Sequence, residues 1–249
     1  MHFLNYKGKS YTVPSAWVEC TTAQAAAAAL LYVNDGALER IALLNAMVGK
    51  KGSKLAKALD FEQVVELTQW AIDKTPDHFS DQILHRGKAY LLPEEDLSDV
   101  VLIEFMEADN AFLEFQKSRA NADLLKFLSH LVRPSKPDEA MLDTDWDGIK
   151  REKYNSALAP RRAIELSGIS AGHAAMVIIR WLHGKQKLAE QFPKLFKSTD
   201  EGTGRGMTML EVSFHISKSG AFGDWDRTLF TDIYKVFAGL EFDRRGNGK

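Results

Sequence analysis

His2-Phe3-Leu4-Asn5-Tyr6, Lys7-Gly8-Lys9, Ser10-Tyr11-Thr12-Val13-Pro14 and Ser15-Ala16-Trp17-Val18-Glu19-Cys20-Thr21-Thr22-Ala23-Gln24 open the chain. Two short alternating runs around a Gly-containing turn predict a β-hairpin. Thr21-x-x-Gln24 then has the spacing of a capping box, which predicts that a helix follows directly. What comes after is mostly helix. The expectation is therefore a mainly α, multi-helix globular protein with a small N-terminal β-hairpin.

Working outward, Ala23 to Val33 is alanine-rich and favours helix by propensity, and Asn34-Asp35-Gly36 closes it. Leu38, Ile41, Leu44, Ala46 and Val48 repeat at helical spacing up to Gly49, giving the second arm of an antiparallel pair. Asp60-Phe61-Glu62-Gln63 is a second capping-box spacing, opening a helix through Trp70 that should fail before Pro76. Lys88-Ala89-Tyr90-Leu91-Leu92 reads as a short strand or a docked loop. The longest clean helical pattern carries Val100, Ile103, Phe105, Ala108, Phe112 and Phe115 on one broad apolar face, with acids between them. Asn121 to Leu131 is amphipathic through Leu124, Leu125, Phe127, Leu128 and Leu131. Further helices are expected after Pro160, from about Ser170 to Gln191, at about 207–217 and at about 226–240, the last capped by Asp224 or Asp226.

The apolar period is lost between Arg133 and Asp147, where Pro134, Pro137, Asp138, Glu139, Asp143, Asp145 and Asp147 crowd together. Residues 133–148 are accordingly expected to be a Pro/Asp-rich loop or linker. It would separate a hairpin-plus-helix region, 1–132, from a helical region, 149–249, unless the two form one domain.

The chain has 249 residues, 45% of them hydrophobic and 27% charged, enough to bury a core. A net charge of −2 gives no overall pull toward nucleic acid or anionic lipid. No apolar stretch reaches the roughly 18 residues that a bilayer demands. The single cysteine, Cys20, has no internal partner, which fits a reducing cytoplasm, and with no base beside it reads as packing.

Asp143-Thr144-Asp145-Trp146-Asp147-Gly148 matches the first six positions of a calcium loop, in which alternating acids supply oxygen ligands and Gly the turn. The twelfth position, which should be a bidentate Glu, is Tyr154, and Glu152 lies two residues short. A calcium-responsive binding module through Asp143, Asp145 and Asp147 is thus one alternative, and a solvated acidic turn is the other. The seven histidines show no zinc-ligand spacing. His78 and His85, with Asp77, Asp81 and Arg86, define a second alternative, an acid/base cluster of an enzyme. Gly202-Thr203-Gly204-Arg205-Gly206 lacks the lysine and the preceding strand of a phosphate loop. Gly168-Ile169-Ser170-Ala171-Gly172 satisfies G-x-S-x-G, but Ser170 reads as a helix N-cap and not as a nucleophile on a strand turn. The basic run His183-Gly184-Lys185-Gln186-Lys187, with Lys194, Lys197, Phe192 and Phe196 nearby, could touch phosphate or an acidic partner, but reads most simply as a solvated helix end.

Tyr6-x-Gly8-Lys9-x-Tyr11-x-Val13-Pro14-x-x-Trp17-x-Glu19-x-Thr21-x-x-Gln24, followed by Arg40-Ile41-x-Leu43-Leu44, resembles the start of phage and prophage proteins of Bacteroidetes-type bacteria, some of them tail-assembly proteins. Asp145-Trp146-Asp147-Gly148 through Tyr154-Asn155, and on through Arg161-Arg162 to Trp181 and Phe192-Pro193-x-x-Phe196, is similar to the same group. The resemblance covers the first 45 residues and about 50 in the middle, and no catalytic motif comes with it. It implies an accessory, non-enzymatic and cofactor-free role in virion assembly, such as a tail-assembly chaperone or another tail-module protein. It also implies a place in the bacterial host cytoplasm or on the virion, with phage structural or tail proteins as partners and self-association open. Such chaperones are often shorter than this chain. Trp17, Trp146, Phe222 and Trp225 are the aromatic residues expected to anchor partners.

Overall fold

A computed structural model describes residues 1–49, 53–74, 76, 80–142, 144, 146, 148–196, 214, 217–218 and 220–246. The chain is mainly α, with a two-stranded antiparallel sheet at its N-terminus. It divides into two compact units, residues 1–83 with 168–179 and residues 84–167 with 180–249. Among the described residues no helix is long and apolar enough to cross a membrane.

The first unit begins with the predicted hairpin. Strands β1 (His2–Tyr6) and β2 (Lys9–Val13) pair Leu4 with Tyr11 and Tyr6 with Lys9. Lys7 and Gly8 both have positive φ, 48° and 74°, as a two-residue hairpin turn of the right twist demands. Leu4, Tyr6 and Tyr11 face the core, while Phe3, on the opposite face, is exposed. Helix α1 (Thr22–Val33) starts at the expected box: Gln24 N–H donates to Thr21 Oγ1 and Thr21 N–H to Gln24 Oε1. Helices α2 (Ala37–Val48), α3 (Ser53–Ala56), α4 (Phe61–Thr68) and α5 (Trp70–Asp73) follow, with the second box, Asp60 and Gln63, formed at α4. The alanines of α1 let a helix come close. A Cβ placed on Gly172 would lie 2.4 Å from the Ala26 carbonyl oxygen, so only glycine fits there.

The second unit contains β4 (Lys88–Leu91), which follows β3 (Gln82–His85), so the ambiguous segment is a strand. Helices α6 (Leu102–Ser118) and α7 (Asn121–Leu131) pack together, and β5 (Arg133–Pro134) pairs with β4. Helices α8 (Asp138–Met141) and α9 (Ala159–Glu165) come next. Helix α10 (Ala171–Gln191) belongs to the first unit up to Ile179 and to the second from Arg180, with Ser170 Oγ accepting from His173 N–H as its cap. Helices α11 (Pro193–Phe196), α12 (Trp225–Leu229) and α13 (Ile233–Gly246) complete the described chain; Asp224 caps α12 as expected, but the single helix expected over about 226–240 is two helices, parted at 230–232. An aromatic core joins Phe105 to Trp181 (5.1 Å between ring centres) and Phe237 (5.9 Å), and Phe127 to Phe112 (5.0 Å) and Trp181 (6.0 Å).

Two expectations need correction. Residues 133–148 do not part the chain, because the boundaries between the units fall at 83/84, 167/168 and 179/180. Of the two readings given for this segment, loop or linker, the linker gives way and the segment is a loop closed at its base inside the second unit. Lys136 N–H donates to the Lys150 carbonyl, and Glu152 N–H to the Pro134 carbonyl. The stripe predicted on α2 is also displaced: its buried residues are Arg40, Leu43, Leu44, Met47 and Val48, while Leu38 and Ile41 are exposed. The predicted helix at 207–217 lies largely outside the described residues.

Candidate functional site

Helix α2 carries two apolar stripes rather than one. The inner stripe is fixed by the first unit's core and by Arg40. That guanidinium is buried, donates to Asp35 Oδ1 at 2.7 and 3.0 Å, and reaches Thr68 Oγ1 at 3.2 Å. The outer stripe is Leu38, Ile41 and Ala42, with the polar but uncharged Asn45 at the fourth place of the i, i+3, i+4, i+7 spacing that ordinarily marks a face turned to a core. All four are exposed, Leu38 by 78% and Ile41 by 42%. Exposed Tyr32 and Val33 end the preceding helix.

The stripe is also uncharged. Only Glu39 and Arg40 bear charge on α2, and both are engaged at its N-terminal end: Glu39 Oε1 accepts from Asn34 Nδ2 at 2.7 Å, and Arg40 is held by Asp35. A helix apolar on both sides is the pattern of one covered on both sides. Burying a fully exposed Leu or Ile side chain is worth about 1.5–3 kcal/mol, so Leu38, 78% exposed, would supply most of that and Ile41, 42% exposed, less than half of it.

The residues named from sequence fare differently. Trp17 is 1% exposed and anchors the first unit's core, so its selection as a partner-binding residue is corrected. Its indole N–H donates to the Lys74 carbonyl (3.0 Å), and its ring meets Trp70 and Tyr32 edge-on at 5.7 and 6.2 Å. Trp146 is partly exposed on the acidic loop and donates to the Ile149 carbonyl. Phe222 is half-buried against α13, where a Cβ on Gly239 would stand 3.0 Å from its ring. Half-buried Trp225 stacks on exposed Phe214, with ring centres 4.3 Å apart.

Asp143, Asp145, Asp147 and His78 lie outside the described residues. His85 is described: its Nε2 lies 3.1 Å from the Ser167 carbonyl, and Arg86 reaches Ser167 Oγ at 3.3 Å. Lys185 and Lys187, read as solvated, pair with Asp109 and Glu95.

No protein family, no curated protein and no solved structure matches the chain.

Sequence reading missed the polar centre of the second unit. Glu104 on α6 is fully buried and accepts from Arg133 Nη2 at 2.9 Å on each oxygen and from Arg151 Nη1 at 3.1 Å. Arg151 also pairs with Asp99 through Nε and donates to the Leu131 carbonyl at 2.7 Å. Arg133 Nη1 donates to the Glu152 carbonyl at 2.6 Å. Burial pushes the Glu104 carboxyl up, and Arg151 and Arg133 pull against it. Burial likewise brings Arg133 down to about 10, whereas on Arg151 the charges of Glu104 and Asp99 outweigh burial and raise it. Two acids against two bases leave this quartet neutral.

Beside it, His130 Nδ1 lies 2.7 Å from the Tyr154 hydroxyl, which donates to the Glu107 carboxylate. Burial, with Lys126 and Arg162 adding, lowers His130 to about 4, so it is neutral and Nδ1–H donates to the tyrosine oxygen. Burial and Glu107 raise Tyr154, keeping it a donor. Apart from Arg133 Nε, which is buried without a partner, these groups bond to one another and to nearby carbonyls and tie both ends of the acidic loop to α6 and α7. Their chemistry is architectural. Among the described residues, the outer side of α2 sets two exposed large apolar side chains, Leu38 and Ile41, three residues apart on one helix face.

Proposed function

We propose that this chain is a non-enzymatic interaction protein that docks a partner on the outer stripe of α2. The observation carrying the reading is that Leu38, Ile41, Ala42 and Asn45 form an uncharged helical stripe exposed to water. The resemblance of the opening residues to phage and prophage proteins supports the finer reading, a role in virion assembly with tail or other phage structural proteins as partners. That role places the protein in the bacterial host cytoplasm, or on the particle.

The test is affinity purification of the tagged chain from its source cells before and after prophage induction, with crosslinking and mass spectrometry. The expected result is recovery of tail-tube, tape-measure or other virion proteins, with crosslinks near α2, and loss of that recovery in L38D/I41D at unchanged thermal stability. Recovery of virion proteins that is indifferent to L38D/I41D discards the docking face. Recovery of host metabolic proteins alone discards the assembly role.

A further inference from the structure

The pairing register of the N-terminal hairpin leaves the outer edge of β1 open. Opposed residues of an antiparallel pair alternate between those that exchange N–H···O=C bonds and those that do not, and the residues flanking a two-residue turn exchange them. Tyr6 and Lys9 flank the Lys7-Gly8 turn, so Leu4 with Tyr11 and His2 with Val13 are bonded too. Phe3 and Asn5, opposite Thr12 and Ser10, therefore aim both their N–H and their C=O groups away from β2. Strand edges are commonly blunted by lysine or proline. Strand β2 carries Lys9 and is followed by Pro14, whereas β1, His2-Phe3-Leu4-Asn5-Tyr6, has neither.

A cleft of about 240 Å³ lies between β1 and the start of α4. Half-buried Leu4 and Leu59 and buried Leu67 line it, with Phe3, Gln63 and exposed Glu66. Phe3 and Leu4 are consecutive and point to opposite faces of the hairpin, so a cleft that both line meets the strand at its edge. No residue of β2 lines it, so that edge is the open one. A strand added there would set alternate side chains on the core side, against Leu4, Leu59 and Leu67, and the others beside Phe3, which is 72% exposed. The volume falls below the about 300–1,000 Å³ of a small-molecule pocket and suits one or two side chains on an extended backbone. Glu66 is the one carboxylate among the lining residues, with neither lysine nor arginine beside it in the lining, so a cation is the complementary group.

We propose that this edge and cleft bind an extended peptide segment by strand addition, its main chain on Phe3 and Asn5, an apolar side chain in the cleft and a basic one at Glu66. The site belongs to the first unit and does not depend on the outer stripe of α2.

The probe is a capped, fluorescein-labelled peptide of alternating valine and threonine with a lysine at each end, titrated into the full chain and followed by anisotropy. Saturable binding with a Kd of about 0.1 mM is expected. Asn5→Pro removes an edge-facing N–H and no hairpin bond, so it should keep the melting curve and weaken binding about tenfold or more. Ser10→Pro, at the equivalent place on β2, should leave binding unchanged, and Glu66→Gln should weaken it severalfold. L38D/I41D should not move it, which separates this site from the α2 face. Hydrogen exchange followed by NMR reads the site without substitution: the Phe3 and Asn5 amides should exchange fast in the free chain and slowly with the peptide, and this decides the matter if Asn5→Pro unfolds. Absence of saturable binding overturns the proposal, as does binding that survives a folded Asn5→Pro or leaves the Phe3 and Asn5 amides exchanging freely. Amides already slow in the free chain, with sedimentation showing a dimer, would give the edge to a second copy and overturn it too.

Discussion

Glu104→Gln tests the polar centre of the second unit most sharply. The carboxylate is fully buried and receives three guanidinium contacts, two from Arg133 and one from Arg151. Glutamine has nearly the same volume, so packing is preserved while the charge sum of Asp99, Glu104, Arg133 and Arg151 moves from zero to plus one. Arg151 keeps Asp99, but Arg133 exchanges its carboxylate for a neutral amide oxygen and otherwise keeps the Glu152 carbonyl and the ring of Tyr154. Removing one member of a buried ion pair costs about 3–5 kcal/mol, against a total stability of about 5–15 kcal/mol. For a unit of this size, at about 2–4 °C per kcal/mol, the melting temperature should fall by about 6–20 °C. Urea denaturation followed by circular dichroism, with a parallel thermal scan, measures both. Glu104→Leu with Arg133→Met should cost less than the sum of the two single changes, because the pair leaves together. A loss below about 1 kcal/mol for Glu104→Gln, the scale of an exposed pair, would refute the view that this quartet holds the unit together.

Three further outcomes are expected. His130 falls from an ordinary 6.5 to about 4 in the folded chain, so the unfolded state takes up its proton first as pH drops. Stability from this group is complete above pH 6.5 and is lost between about pH 6.5 and 4, a change of about 3 kcal/mol that His130→Gln should flatten. An NMR titration that leaves His130 near 6.5 would mean that Glu107, 3.5 Å away, offsets the burial. Gly172→Ala should destabilise the first unit by about 1–3 kcal/mol in urea, because the new methyl collides with the Ala26 backbone; an unchanged midpoint rules out the close approach. Burial, with Glu19 adding, pushes the Cys20 thiol up to about 12, so its reaction with a disulfide reagent at pH 8 should be far slower than that of the urea-unfolded chain, and equal rates would contradict it.

Local rules carried the sequence reading a long way. Positive φ at Lys7-Gly8 and reciprocal side-chain bonds at Thr21/Gln24 and Asp60/Gln63 are decided within a few residues, so the hairpin and two helix starts were legible. The closed acidic loop was not, since Pro134 and its run of acids look like a linker until Glu152 and Lys150 return to pair with residues near its start. The quartet had one visible sign: Glu104 sits four residues after Val100 and four before Ala108, in register with the buried stripe of α6. A carboxylate in that register requires a buried cation. Arg133 and Arg151 could not be named as the partners, because they lie 29 and 47 residues away.

The displacement on α2 has a different origin, and it bears on function. Leu38, Ile41 and Leu44 repeat at a period that satisfies the amphipathic rule, yet the fold buries the neighbouring set Arg40, Leu43, Leu44, Met47 and Val48. Both sets are apolar enough to have served, so periodicity alone could not choose between them. The choice fell to Arg40, whose pairing with Asp35 and Thr68 turns its own side inward and leaves Leu38 and Ile41 outside. Where local pattern and observed burial disagree, a functional demand is the expected cause. A second apolar stripe has no role in packing this unit, and an exposed one carries a solubility cost unless something covers it. The same disagreement that displaced the sequence reading of α2 is therefore the strongest argument that its outer stripe is a docking face.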